Sequence, residues 1–361
     1  MTEPSRQERF SGTKEVADAL AFDAVRLARY LADHIAGFAG PVTVRQFKGG
    51  QSNPTYLLIT PERRYVLRRK PPGKLLPSAH AVDREYKVIS ALHPTGFPVA
   101  RPYLLCEDES IIGTMFYVID YVEGRIFWDG ALPGLEPAER GAIYDAMNAT
   151  LARLHGIDYA KIGLGDYGKA GSYTARQIAR WSKQYEASRT EPIAEMDKLI
   201  AWLPGHAPAD ERAAIVHGDF RIDNLIFHPS EPRVLAVLDW ELSTIGDPLA
   251  DFTYHLMQWQ MPAIGAIGSG SLLGEDLAAL GIPAMEDYIA AYCHRTGHAT
   301  APDMDYYAAY NFFRLAAILQ GIVGRVRDGT AASADAAQNA SAVRPLAERG
   351  WHFARRAGAT A

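Results

Sequence analysis

The chain has 361 residues, 22% of them charged and 48% apolar, with a net charge of -5. That length suits two lobes with a substantial hydrophobic core, and the acidic balance argues against nucleic acid as a partner. Two distant cysteines, Cys106 and Cys293, form neither a zinc spacing nor a disulfide framework and point to a reducing, cytoplasmic setting. No apolar h-region follows Met1, and no run approaches the ~20 apolar residues that span a bilayer, so a soluble chain with no membrane partner is expected.

Residues 15–38 carry a stripe of Val16, Leu20, Ala24, Leu27, Leu31 and Ile35 at helical spacing, closed by Gly37 and Gly40. Strand texture follows at 42–44, 55–59 and 65–68, with turns at Gly49-Gly50 and Pro61–Arg64. A helix is expected from an Ser78 N-cap to Leu92, then strands near 101–106 and 115–122. Residues 1–122 thus read as a small N-terminal lobe: a leading helix, a sheet of about five strands, and one more helix. Residues 123–361 read as a mainly helical lobe, with helices at 136–155, 174–188, 283–297 and 303–327. Short strands lie around 215–238, and an Ala-rich stretch, Thr330–Ala342, reads as a loose connection or a weakly anchored helix.

The most informative stretch is His217-Gly218-Asp219-Phe220-Arg221-Ile222-Asp223-Asn224, with Asp239-Trp240-Glu241 beyond it. Asp219 and Asn224 are five residues apart and Asp239 follows fifteen later, each beside an apolar run. Phosphoryl transfer needs a carboxylate for the acceptor's proton, and an Asn and an Asp to hold magnesium on a triphosphate. The Asp-x4-Asn spacing matches the kinase arrangement of those roles. The same groups could instead cap turns.

Upstream elements fall in the matching order. Gly49, Gly50, Ser52 and Asn53 lie in a turn that could cradle phosphates or form an ordinary hairpin. Arg68 shares a strand face with Val66, so a cation could reach phosphates while Val66 packs on adenine. Arg68 could equally belong to a solvated basic edge with Arg63, Arg64, Arg69, Lys70 and Lys74. Glu85, in the next helix, could orient the cation, and the backbone of Asp120 and Val122 could read an adenine edge. Asp247 and Asp251 are explained by a helix start, with Asp247 as N-cap before Pro248. His217 reads as a residue that positions the loop.

With these motifs in order, residues 40–330 resemble the aminoglycoside phosphotransferase and choline kinase-like family, whose members share the protein-kinase fold. The string Val66–His80, Asp166-Tyr167-Gly168 and Arg176–Trp181 resemble one branch more closely: the kinase-like domain fused ahead of the dehydrogenase domain in some acyl-CoA dehydrogenases. Here that domain is expected to stand alone. The resemblance implies an α+β, bilobal fold that binds ATP and Mg2+. It makes Asp219 the catalytic base, Asn224 and Asp239 the metal ligands, and Glu85 the helix acid. Two departures stand out: Arg68 replaces the usual strand Lys, and Asp-Trp-Glu replaces Asp-Phe-Gly. Only seven residues separate Asp239 from Asp247, too few for an activation segment, so a small-molecule hydroxyl acceptor is expected. Residues 252–361 hold nine acidic residues and eight Arg, a poor match to polycationic aminoglycosides. The branch implies a hydroxyacyl-CoA or related hydroxy acid. A nucleotide-binding pseudokinase, or a kinase of amino-alcohols or sugars, is the alternative.

Overall fold

A computed structural model describes residues 6–48, 53–73, 80–208, 212–262, 271–298, 301–328 and 336–360. In chain order it contains α1 (Arg6–Phe10), β1 (Thr13–Lys14), α2 (Ala24–His34), β2 (Thr43–Phe47), β3 (Thr55–Ile59), β4 (Arg64–Arg69), α3 (Val82–Leu92), β5 (Pro102–Cys106) and β6 (Phe116–Asp120). There follow α4 (Pro137–His155), α5 (Tyr173–Ser188), α6 (Ala194–Trp202), β7 (Ala214–Val216), β8 (Leu225–Phe227), β9 (Val234–Val237) and β10 (Thr244–Gly246). The chain then forms α7 (Pro248–Leu256), α8 (Leu277–Leu280), α9 (Met285–Thr296), α10 (Met304–Arg327) and α11 (Ala336–Arg356).

The chain divides into two compact units. The first comprises Met1–Trp128, Ala160–Tyr167 and Ile222–Ser243; the second holds the remainder. The first is built on a six-stranded antiparallel sheet in the order β1-β2-β3-β4-β6-β5. Alternation along the strands gives the sheet two different faces. Tyr56, Leu58, Tyr65, Leu67, Phe116 and Val118 form one core with Leu27 and Leu31 of α2. The opposite face carries Val66, Arg68 and Tyr117 and meets Glu85 of α3. The hairpin β8–β9 belongs to this unit as well.

The expected helix over 15–38 is shorter than its apolar stripe. The Asp23 side chain accepts the amides of Val25 and Arg26, both at 2.9 Å, and starts α2 there. Upstream, Asp18–Leu20 forms only a 3-10 turn. Likewise α3 starts at Val82, after Ala81; Ser78, the expected cap, lies outside the described residues.

The second unit is helical, around the pair β7–β10. Nearly every face of α10 is buried, and α11 stacks along it through Phe312 and Phe353, whose rings are 5.7 Å apart. The described part of the Ala-rich stretch, from Ala336 to Ala342, is the start of α11, which continues through Pro345. Pro248 opens α7 with Asp247 as its cap, accepting the Leu249 amide at 2.9 Å. No helix among the described residues is long and apolar enough to cross a membrane.

Candidate active site

In the first unit the site is organised around Arg68. β4 is a central strand between β3 and β6, so Arg68 lies on no solvated edge and is 8% exposed. Its Nε stands 2.9 Å from Glu85 Oε2, and its Nη2 stands 2.7 Å from Asp239 Oδ1 and 3.6 Å from Glu241 Oε2. One guanidinium thus faces three carboxylates. Burial lowers its proton affinity, but the carboxylates of Glu85, Asp239 and Glu241 more than compensate, so it stays charged.

Glu85 is itself buried, and burial pushes its carboxyl up against the pull of Arg68. It accepts from Asn53 Nδ2 at 2.9 Å and from the Tyr117 hydroxyl at 3.1 Å. Asn53 also meets His80 Nδ1 at 2.9 Å through its carboxamide oxygen. Asn53 thus braces the helix acid; Gly49, Gly50 and Ser52 of the expected phosphate loop lie outside the described residues. Neither Tyr117 nor His80 stood out in the sequence.

The hairpin β8–β9 brings Asn224 and Asp239 to one end. Leu225 pairs with Val237, and the Leu238 amide donates to the Asn224 carbonyl at 2.8 Å. Asp239 has a left-handed backbone (φ 61°), a costly conformation for a residue other than glycine. Trp240 behind it is buried, with Nε1 donating to the Val237 carbonyl at 3.0 Å.

Among the described residues no cluster of three His, Cys, Asp or Glu side chains could enclose a metal ion. The donors here are a carboxylate and a carboxamide, both hard oxygen groups. That set fits magnesium, which keeps waters and takes phosphate oxygens instead of a full protein cage.

Among the described residues the basic run that begins at Arg63 does not form one surface; Lys74 lies outside them. Arg69 is 2% exposed on the opposite face from Arg68, bonded to the Tyr56 hydroxyl and to the carbonyls of Leu20 and Ile112. Arg64 pairs with Glu123 at 2.6 Å. Val66 is half-buried beside Ile119 and Leu57. The Asp120 amide is taken by the Arg101 carbonyl at 2.8 Å, so any reading of a base edge at this turn uses its carbonyl or the groups of Val122.

In the second unit, Asp219 sits in the loop after β7. Gly218 takes a positive φ of 83° there, which a glycine adopts without strain. Asp251 of α7 accepts the His217 amide at 2.7 Å and the Gly218 amide at 2.8 Å, and faces His155 Nε2 at 3.2 Å. Burial raises its carboxyl, but His155, His217 and these amides outweigh that and hold it below the usual range. Asp251 is therefore an anchor of the loop and not part of a cap. His217 is fully buried and accepts the Asp219 amide at 3.2 Å through Nδ1.

Around Asp219, the Tyr254 hydroxyl donates to Oδ1 at 2.6 Å and Arg221 Nε is 3.4 Å away. Arg314 of α10 donates to the Gly218 carbonyl at 3.0 Å. Tyr254 and Arg314 gave no sequence signal, because each is set in an apolar helical pattern.

A strand cation paired with a helix acid, and a loop Asp followed by an Asn/Asp hairpin, define the equipment of a kinase-like phosphotransferase. Residues 43–310 match the pattern of the Phosphotransferase enzyme family, and the chain belongs to that family. A crystal structure from Ralstonia eutropha, provisionally named an aminoglycoside phosphotransferase, is 52% identical, with a TM-score of 0.85 over 93% of this chain and 99% of that one. Choline kinase from Cryptosporidium parvum shares the fold at 11% identity, with a TM-score of 0.62 over 93% of this chain and 95% of that one. Acyl-CoA dehydrogenase family member 10 of Mus musculus is 46% identical over 347 residues, covering 96% of this chain and 32% of that protein. The chain spans less than half the length of the curated relatives it matches.

Proposed function

We propose that the protein transfers the γ-phosphoryl group of ATP to a hydroxyl of a small molecule, and that the acceptor is a hydroxyacyl-CoA or a related hydroxy acid. The observation that carries the transferase reading is the Arg68–Glu85–Asp239 linkage beside Asn224. It gathers the strand cation, the helix acid and the hairpin carboxylate, groups that kinase-type phosphoryl transfer uses, into one charged network.

In this reading Asn224 and Asp239 hold magnesium, which when bound neutralises charge on the phosphates. Arg68, kept charged and oriented by Glu85, binds phosphate oxygens with its planar fork. The backbone at Asp120 and Val122, with Val66, receives the adenine. Asp219 accepts the acceptor's proton as its oxygen attacks the γ-phosphorus; the new O–P bond forms as the bond to the β-phosphate oxygen breaks, and ADP leaves. Positioning and charge neutralisation supply most of the acceleration.

The acceptor class rests on the curated relatives from mouse and rat, which match this chain over 95–96% of its length and bear acyl-CoA dehydrogenase names. The buried free thiols Cys106 and Cys293 support a reducing, cytoplasmic setting. The test is a screen of hydroxyacyl-CoAs and their free hydroxy acids for ATP- and magnesium-dependent phosphorylation, with Asp219→Asn as blank. Transfer only to amino-alcohols or sugars would overturn the acceptor class. Nucleotide binding without transfer to any hydroxyl would favour a regulatory pseudokinase.

A further inference from the structure

Resting on the reading of Asp219 as the base, we propose that Tyr254 is a positioning residue that fixes the Asp219 carboxylate from the α7 side, with Arg314 holding the same loop from α10. The Tyr254 hydroxyl approaches Oδ1 at 2.6 Å, a short charge-assisted contact. Arg221 also meets Oδ1, at 3.4 Å. Its side chain is 48% exposed, so it holds the carboxylate less firmly.

Tyr254 can serve only as donor here. Burial first, and the Asp219 charge second, push its hydroxyl well above the ordinary tyrosine range, against the opposing pull of Arg221 and Arg314. The contact therefore runs from phenol to carboxylate.

Arg314 supports both partners. Its guanidinium lies 5.1 Å from the centre of the Tyr254 ring and donates to the carbonyl of Gly218, the residue before Asp219. Arg314 is buried and stays charged: burial opposes the charge, but Tyr310, Tyr173, Tyr254 and Asp219 favour it. One α10 cation thus fixes the backbone before the base and the ring that bonds it. An acceptor hydroxyl arriving at Asp219 meets a carboxylate of set orientation, the condition for efficient proton removal.

The test is Tyr254→Phe, which keeps the ring and its packing on Arg314. Turnover should fall roughly 10- to 100-fold, the range for losing a hydrogen bond to a charged group, with KM for ATP and acceptor within about twofold. In 13C spectra at neutral pH the Asp219 carboxyl resonance should move in Tyr254→Phe relative to the wild type, because a hydrogen-bond donor to it is gone. Unchanged turnover together with an unmoved Asp219 resonance would overturn the proposal; so would a loss of turnover with that resonance unmoved. If the variant unfolds, Arg314→Lys, which keeps the charge, should give a smaller turnover loss and a smaller shift of the same sign; no shift would overturn the proposal. If the wild type transfers phosphate to no hydroxyl, the functional reading fails, and the spectra still decide whether Tyr254 acts on Asp219.

Discussion

Arg68 Nη2 stands 2.7 Å from Asp239 Oδ1, which ties the central strand of the sheet directly to the end of the β8–β9 hairpin. Lysine could not reproduce this. A single ammonium cannot meet Glu85, Asp239 and Glu241 together with fixed geometry, whereas the guanidinium presents its nitrogens in a rigid fork. The strand Arg and the Glu of the Asp-Trp-Glu motif, two departures from the common kinase pattern, thus meet at one side chain.

Removing Arg68 leaves Glu85 charged and buried without its counter-ion. Arg68→Ala should therefore destabilise the fold by about 3–5 kcal/mol, the cost of stranding one member of a buried pair. Arg68→Lys should keep most of that stability but weaken binding of magnesium–ATP. Denaturant unfolding and calorimetry check the two halves. Equal stability losses in both variants would show that the fork geometry, not charge alone, carries the stability.

Asp251 accepts two adjacent backbone amides, and asparagine offers only one oxygen for them. In Asp251→Asn the carboxamide NH2 must face one of the two donors, leaving a buried amide unsatisfied at a cost of about 1–3 kcal/mol. Because those amides belong to His217 and Gly218, beside the proposed base, turnover should fall roughly 10- to 100-fold. A thermal melt and steady-state kinetics on the same sample check both effects.

The parts of the candidate site that were legible in the sequence are local. Asp219, Asn224 and Asp239 lie in one stretch, and the apolar runs beside them mark the strand ends that carry them. Val66 and Arg68 share a face because strand side chains alternate, and the sheet keeps that alternation. What was hidden depends on distant contacts. Asp251 reaches the loop from 34 residues away, and a helix-cap signature at Asp247 already explained its neighbourhood. Arg314 reaches Gly218 from 96 residues away within an apolar helix. The leading helix was overextended because periodicity continues through residues where Asp23 offers a better start. The basic run misled for a similar reason: successive Arg68 and Arg69 point to opposite faces, each with its own buried partners.

The Asp166-Tyr167-Gly168 motif has a packing explanation. Lys87 meets Asp166 at 2.7 Å, and the Arg84 guanidinium lies 4.3 Å from the Tyr167 ring centre and donates to the Tyr167 carbonyl. The motif therefore pins α3, the helix that carries Glu85. A Cβ at Gly168 would come within 2.4 Å of Thr244 Oγ1 and 2.6 Å of the Ile245 amide nitrogen. Gly168→Ala should therefore destabilise by about 1–3 kcal/mol through overpacking against backbone that cannot give way. Chemical denaturation of that variant, with Gly165→Ala as a control in open space, checks it.

Acid sensitivity should arise from His255. It is buried, with its ring nitrogens against the Phe220 carbonyl at 3.2 Å and the Tyr288 hydroxyl at 2.8 Å. The neutral ring satisfies both, donating from Nδ1 and accepting at Nε2. Burial pushes its pKa down to about 4 from an ordinary value of 6.5. The unfolded chain therefore binds a proton near pH 6.5 that the folded chain refuses until about pH 4, so stability falls as pH drops through that window. The loss across the full window is roughly 3 kcal/mol. Asp251 acts at lower pH: held below the carboxylate range in the folded state, it stabilises above that range and loses its contribution only as it is protonated. Urea unfolding at pH 7 and at pH 4.5 should show most of the His255 loss in the wild type. His255→Gln, which cannot titrate, should show a much flatter dependence; an equally steep one would assign the acid sensitivity to other groups.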